Sequence, residues 1–342
     1  MTPQSDYAEL KRRVKEAGLL ELQPWFYVTG MALNAVLLGI CVFGLARLHQ
    51  TWLLALDAVA LGLVCGQLGF QLHDAGHHQM FRRAWANRLV GFVTGDLLLG
   101  VSFGWWMDEH TRHHANPNHM DLDPDIDNAA LSYSVDQALA RRGVMRLVAR
   151  YQAYLLVPLA SLTGWSLHAQ GLQFVVRRRR RLEAAALVVH AALYGALLVW
   201  LLGPWPALMV VAIQKAASGL YFASVALPNH QGMPQTVGAV EPDFLRKQVL
   251  STRNLRSGWL TDYWFGSLNL QIEHHLFPRM TRANLRRARP IVRAYCEELG
   301  VPYHEVSAAR AYRELVRFLH RVGEPLRRPA APQLPAQVEQ PG

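Results

Sequence analysis

The sequence predicts an all-α integral membrane protein with four transmembrane helices in two hairpins, interfacial helices beside them and a cytoplasmic helical cap. Two observations carry this expectation: four apolar runs long enough to cross a bilayer, and basic residues gathered on one side of them. A third, the placement of the histidines, says what the cap is for.

The runs cover roughly 25–47, 52–72, 184–203 and 205–228. The turn between the first two, LHQTW around His49, and the turn between the last two, GPWP from Gly203 to Pro206, are too short for anything but antiparallel neighbours. Both ends of each hairpin therefore face one side. Residues 1–24 form a polar leader and 25–322 the membrane domain, while the Pro-, Ala- and Gln-rich segment 323–342 reads as a disordered tail. The first run is too long for a removable signal and has no small-residue cleavage site, so it is expected to remain.

The net charge of +10 raises the question of a nucleic-acid partner. The distribution answers it. Lys11, Arg12, Arg13 and Lys15, then Arg82, Arg83 and Arg88, the run Arg177–Arg181 and the basic stretch from Arg279 to Arg293 all lie on the side of the termini. Only Arg47 is near the opposite turns. The positive-inside rule puts the termini and the central segment in the cytoplasm, with the spans in the cell membrane, and leaves no charge for nucleic acid to explain. Two less apolar stretches, 89–106 and 147–175, read as interfacial helices, with a fifth span left open. Cys41, Cys65 and Cys296 make no disulfide framework.

Two charges fall inside spans. Asp57 precedes His73, and Lys215 precedes His230, by roughly 24 and roughly 22 Å of helix at 1.5 Å per residue, so a salt bridge between spans two and four is expected.

Of fifteen histidines, ten fall in four short segments on the cytoplasmic side: HDAGHH (His73–His78), HTRHHANPNH (His110–His119), His230, and His274 with His275. His110, His113 and His114 have i, i+3, i+4 spacing, Gln271, His274 and His275 repeat it, and His73 with His77 is an i, i+4 pair. One zinc takes three or four protein ligands, and about twice that many imidazoles converge here, so two metals are the economical explanation. Imidazole alone does not select among iron, copper, nickel and zinc. The acidic run Asp121–Asp127 fails as a calcium loop, because Ile126 stands where glycine is needed and Ser132 where a bidentate glutamate belongs. Asp121, Asp123 and Asp125, together with Asp74, Asn269, Gln271 and His119, are candidates to hold the outer nitrogens of ligand rings. Glu109 and Glu273 orient box histidines or lie on the surface. His49, His168, His190, His304 and His320 read as surface or interfacial residues, and Trp105, Trp106, Trp259 and Trp264 as an aromatic belt.

These segments resemble the membrane-bound fatty acid desaturases, with boxes of the forms HxxxH, HxxHH and QxxHH in order. GSLNLQIEHHLFP (Gly266–Pro278) is similar to that family's GGLNxQIEHHLFP, with Ser267 at the second glycine, and HHANPNHMDLDPDI (His113–Ile126) and PNHQGMP (Pro228–Pro234) resemble bacterial members. The resemblance implies a non-haem di-iron site that uses O2 and two electrons to remove two hydrogens from a fatty acyl chain on coenzyme A or a membrane lipid. It implies as iron ligands His73, His77 or His78, His110, His113, His114, His230, His274 and His275, with Gln271 where other members place histidine; no further catalytic residue is assigned. No haem-binding HPGG motif occurs and about 24 residues precede the first span, so electrons are expected from a separate ferredoxin or cytochrome. A hydroxylase on the same scaffold is the main rival. A non-catalytic metal transporter or sensor is weaker, because no polar path crosses the spans.

Overall fold

A computed structural model describes residues 3–127, 129–238 and 242–328. Its chain is almost wholly helical, and four helices are long and apolar enough to span a membrane. After α1 (Pro3–Glu16), the first hairpin is α2 (Pro24–Arg47) and α3 (Thr51–Gly76). Pro24 opens α2 where its fixed φ suits a first turn and its missing N–H costs nothing. The π-helical segment Val93–Leu99 continues α4 (Ala84–Phe92), and the chain then bends by 115° into α5 (Phe103–Ala115). Gly100, at φ 70°, makes the bend, and a Cβ there would lie 2.3 Å from the His190 ring. The stretch expected at 89–106 is thus two helices meeting at a sharp bend rather than one interfacial helix, a geometry that fits a broken fifth span as well as a re-entrant loop.

Short helices α6 (Val135–Ala140), α7 (Gly143–Tyr151) and α8 (Leu156–Ser161) lead to α9 (Thr163–Arg177), and the second hairpin is α10 (Arg181–Leu202) with α11 (Pro204–His230). The interfacial helix expected over 147–175 is in three pieces, the last of which packs inward. Helices α3 and α11 form the centre of the membrane part, and α2 and α10 lie outside them with few buried residues. Lipid gives no hydrophobic reward for helix contact, so close approach depends on small residues. A Cβ on Gly62 would lie 2.6 Å from that of Ala217, one on Gly66 would lie 1.9 Å from the Tyr221 ring, and one on Gly164 of α9 would lie 2.3 Å from the Lys215 carbonyl.

The expected Asp57–Lys215 bridge is not formed. Asp57 faces Gly44 across the first hairpin, where a Cβ would meet its carboxylate at 2.8 Å. Lys215 points the other way, with Nζ 2.8 Å from His168 Nε2 on α9. Equal depth did not mean a shared face.

The cap comprises α12 (Phe244–Leu250), β1 (Asn254–Leu255), α13 (Trp259–Trp264), α14 (Gln271–Leu276), α15 (Arg282–Glu298), β2 (Glu305–Val306) and α16 (Ala308–Val322). Strand β1 pairs in parallel with β2, Asn254 opposite Glu305. Helix α1, within the polar leader, packs into this cap: Leu10 and Val14 are buried with Leu245, Ile272, Leu276 and Val292, and Tyr7 Oη donates to the Leu276 carbonyl at 2.9 Å. Of the segment expected to be disordered, Glu324–Leu326 forms a 3-10 turn and Arg327 donates to the Arg150 carbonyl at 2.6 Å. Residues from 329 onward lie outside the described residues.

Ser267 occupies the left-handed region, φ 63°, in the turn leading into α14. That conformation costs a side-chain-bearing residue about 1–2 kcal/mol. Ser267→Gly is therefore expected to stabilise the protein by about 1 kcal/mol, read as a higher melting temperature in detergent.

Candidate metal centre

The histidine segments meet beneath the cap, at the ends of α3 and α11. The apolar runs fade before the helices do: α3 continues to Gly76 and α11 to His230, so His73, His77 and His230 sit at the ends of spans. Helix α5 supplies His110, His113 and His114, and α14 supplies His274 and His275. Two groups result: nitrogens of His73, His77, His110, His114 and His274 lie within 4.8 Å of one another, as do those of His113, His230 and His275. The rings of His114 and His275, one from each group, stack at 4.2 Å.

In the first group the Nε2 atoms form a chain: His77 to His110 at 2.9 Å, His110 to His114 at 3.1 Å, His114 to His274 at 3.1 Å and His274 to His73 at 3.1 Å. An imidazole nitrogen offers either one N–H or one lone pair. Five nitrogens in a chain of four contacts can therefore satisfy at most two by hydrogen bonding. A cation at which the lone pairs point removes the conflict, and two nitrogens at about 2.1 Å from one ion and at right angles would be about 3.0 Å apart. The donor set fits a metal.

Outer partners fix the tautomers that aim Nε2 inward. Asp74 Oδ1 lies 3.2 Å from His73 Nδ1 and is itself held by Arg282 Nε, which donates to Oδ2 at 2.7 Å. Both Asp123 oxygens accept from His113 Nδ1, at 3.0 and 3.1 Å. Gln248 Oε1 accepts from His275 Nδ1 at 2.9 Å, leaving His275 Nε2 buried with no hydrogen-bond partner. Burial first, then the neighbouring imidazoles, holds His274 and His275 well below the usual histidine range, so both rings are neutral with a lone pair to give. Between them and the cap core, Glu273 is fully buried, accepting from Tyr303 Oη and Asn254 Nδ2 at 2.7 Å each, and burial pushes its carboxyl up to about 7.

The other candidates have different surroundings. His78 stands outside both groups in a left-handed turn at φ 56°, so of the two neighbours it is His77 whose ring joins the cluster. Gln271 is in the site, its Nε2 3.0 Å from His230 Nε2. Asp125 reaches His113 Nδ1 at 3.4 Å from a half-exposed position. Asn269 donates instead to the Leu255 carbonyl and to Asp262. His119 is buried with Nε2 3.0 Å from the Gly238 carbonyl, and exposed Asp121 contributes a backbone N–H to His119 Nδ1. Glu109 pairs with Arg112 on the surface side.

The expected aromatic belt is reduced to Trp259, which is exposed. Trp105 is buried beside the site, Trp106 stacks on His110 at 4.4 Å, and Trp264 packs tilted against Tyr221, with ring centroids 4.5 Å apart, and donates to Ser224. His168 and His190 are not surface residues either, since both bond carbonyls of the π-helical segment, Leu99 and Leu97. Gln248 and Arg282 had no motif around them in the sequence; only the fold brings them to the rings.

A cavity of about 190 Å³ opens from His73, His110, His113 and His230 into the membrane part, between α3, α9 and α11. Its middle is walled by Gly69, Phe70, Tyr221, Phe222 and Val225.

The family model for fatty acid desaturases matches residues 50–307. The chain is 29% identical over 332 residues to an acyl-lipid (9-3)-desaturase of Physcomitrium patens, covering 93% of this chain and 63% of that protein. It is 29% identical over 320 residues to a Delta(8)-fatty-acid desaturase of Helianthus annuus (88% and 69%) and 30% identical over 331 residues to one of Euglena gracilis (92% and 78%). The chain thus spans about two thirds of the length of the first two of these relatives. With four membrane-spanning helices and a buried histidine cluster able to hold metal, it belongs to the fatty acid desaturase family.

Proposed function

We propose that the protein is an oxidoreductase that inserts a cis double bond into a fatty acyl chain carried on coenzyme A or a membrane lipid. The observation that carries this reading is the apolar cavity ending on the histidine cluster. One iron would be held by His73, His77, His110, His114 and His274 and the other by His113, His230 and His275, with Gln271 beside the second. When bound, the iron pair supplies the oxidising power that an unactivated methylene requires, using O2 and electrons from a separate ferredoxin or cytochrome.

The chain's own residues do the rest. Phe222, Val225 and Leu268 offer the acyl chain an apolar wall and leave water no partners, and Tyr221, fixed by Gln67 at 2.6 Å and the Trp264 carbonyl at 2.8 Å, holds the cavity's shape. Asp74, Asp123 and Gln248 keep the rings oriented, so geometry is set before substrate arrives. The basic, histidine-bearing side would face the cytoplasm of the cell membrane.

Expression in a host with simple lipids, followed by mass spectrometry of the acyl chains, tests the activity. New double bonds support it; new hydroxyls alone would make the protein a hydroxylase. Gln248→Met, which removes the acceptor from His275, is expected to weaken iron binding about 10–100-fold. Gln248→Glu keeps an acceptor and should bind close to normally, as measured by iron retained on dialysis against a chelator.

A further inference from the structure

The cavity does not end as it begins. Residues 214–215, 218, 221–222, 225–226 and 229–230 of α11 all line it, one helical face, and Lys215 lies roughly 22 Å from His230 along that face at 1.5 Å per residue. The deep end gathers Cys65, His168, Gln214 and Lys215.

Lys215 is 7% exposed and Gln214 3%. Among the described residues no carboxylate pairs with Lys215, and its one hydrogen-bond partner is His168 Nε2 at 2.8 Å. The His168 ring also meets two backbone carbonyls, Nδ1 to Gly164 at 2.7 Å and Nε2 to Leu99 at 3.0 Å, so it occupies at most one Lys215 N–H. At least two ammonium N–H groups remain, with the Tyr194 ring centroid 6.0 Å from Nζ. Gln214 donates from Nε2 to Cys65 Sγ at 3.2 Å, while its Oε1 is buried without a partner. A methyl-ended acyl chain filling this space would leave donor and acceptor both unmet, and buried polar groups are costly when unmet.

We propose that the deep end is a subsite for an oxygen function on the acyl chain, distal to the carbons that react, with a hydroxyl as the best match. A hydroxyl oxygen accepts from Lys215 Nζ, and its proton goes to Gln214 Oε1. This rests on the cavity being the acyl site, and it makes Lys215 and Gln214 specificity residues rather than a plain stop for chain length.

The test compares saturated acyl chains of matched length ending in methyl or hydroxymethyl, on the full-length iron-loaded protein. Binding is read from the rise in melting temperature and turnover from KM and kcat. The wild type is expected to show a KM about tenfold or more lower for the hydroxymethyl chain, with the larger thermal shift. Lys215→Met should reverse the preference, and Gln214→Leu, which leaves the lysine in place, should reduce it. Equal treatment of the two chains by the wild type, or an intact hydroxyl preference in Lys215→Met, overturns the subsite. If the hydroxymethyl chain stabilises the wild type and not Lys215→Met while neither chain is turned over, the subsite stands and the proposed activity falls.

Discussion

His274→Ala is expected to abolish product formation, by at least about 100-fold, and, on the proposed di-iron assignment, to release the ion of the five-histidine group while the other stays bound. Its Nε2 touches both His73 and His114, so it ties His73 to the run His77–His110–His114. Without it His73 loses its nitrogen contact within the group, and no neighbour replaces the lost lone pair. The fold should survive, because α14 is anchored by Ile272 and Leu276 in the cap core and by Glu273 on Asn254 and Tyr303. Iron per chain, together with acyl-chain mass spectrometry, checks it. Unchanged product would remove the metal assignment, and exposed His49→Ala serves as the silent control.

Asp123→Leu should be nearly as damaging, for a different reason. Its carboxylate holds His113 Nδ1 and also accepts from Asn118 N at 2.8 Å, and Asn118 Nδ2 donates at 3.0 Å to the carbonyls of both His230 and Ser251. Removing the carboxylate therefore loosens two rings of the second group at once. Iron affinity there is expected to fall about 10–100-fold, with the melting temperature falling too. Asp123→Asn keeps an acceptor for His113 but turns an amide toward Asn118 N, so it should be intermediate. Equal iron retention in all three proteins would show that His113 needs no such support.

Much of this was legible in the chain. Apolar length gave the spans, and helical spacing put His110, His113 and His114 on one face and Gln271, His274 and His275 on another, though the fold divides each set between the two groups. Depth along a helix was legible for Asp57 and Lys215, yet their facing was not, because rotation about the axis is set by contacts such as Gly62 on Ala217 and Gly44 on Asp57. The tryptophans misled for a related reason. An indole suits a membrane boundary and a buried wall equally well, and Trp106, one turn before His110 on α5, follows that ring into the site. Gln248 and Arg282 were silent, since a glutamine or arginine in a polar helix acquires meaning only when the partner ring arrives from elsewhere in the chain.

That last histidine helix has a consequence in time. Synthesis runs from α3 to α14, so a chain still on the ribosome before residue 271 holds both hairpins and most of the imidazoles but not the pair that completes each group. Helix α14 is then closed in by α1, made before either hairpin, together with α12 and α15. On the proposed metal assignment, both histidine groups become complete only when α14 arrives, and a helix made before either hairpin then packs over it.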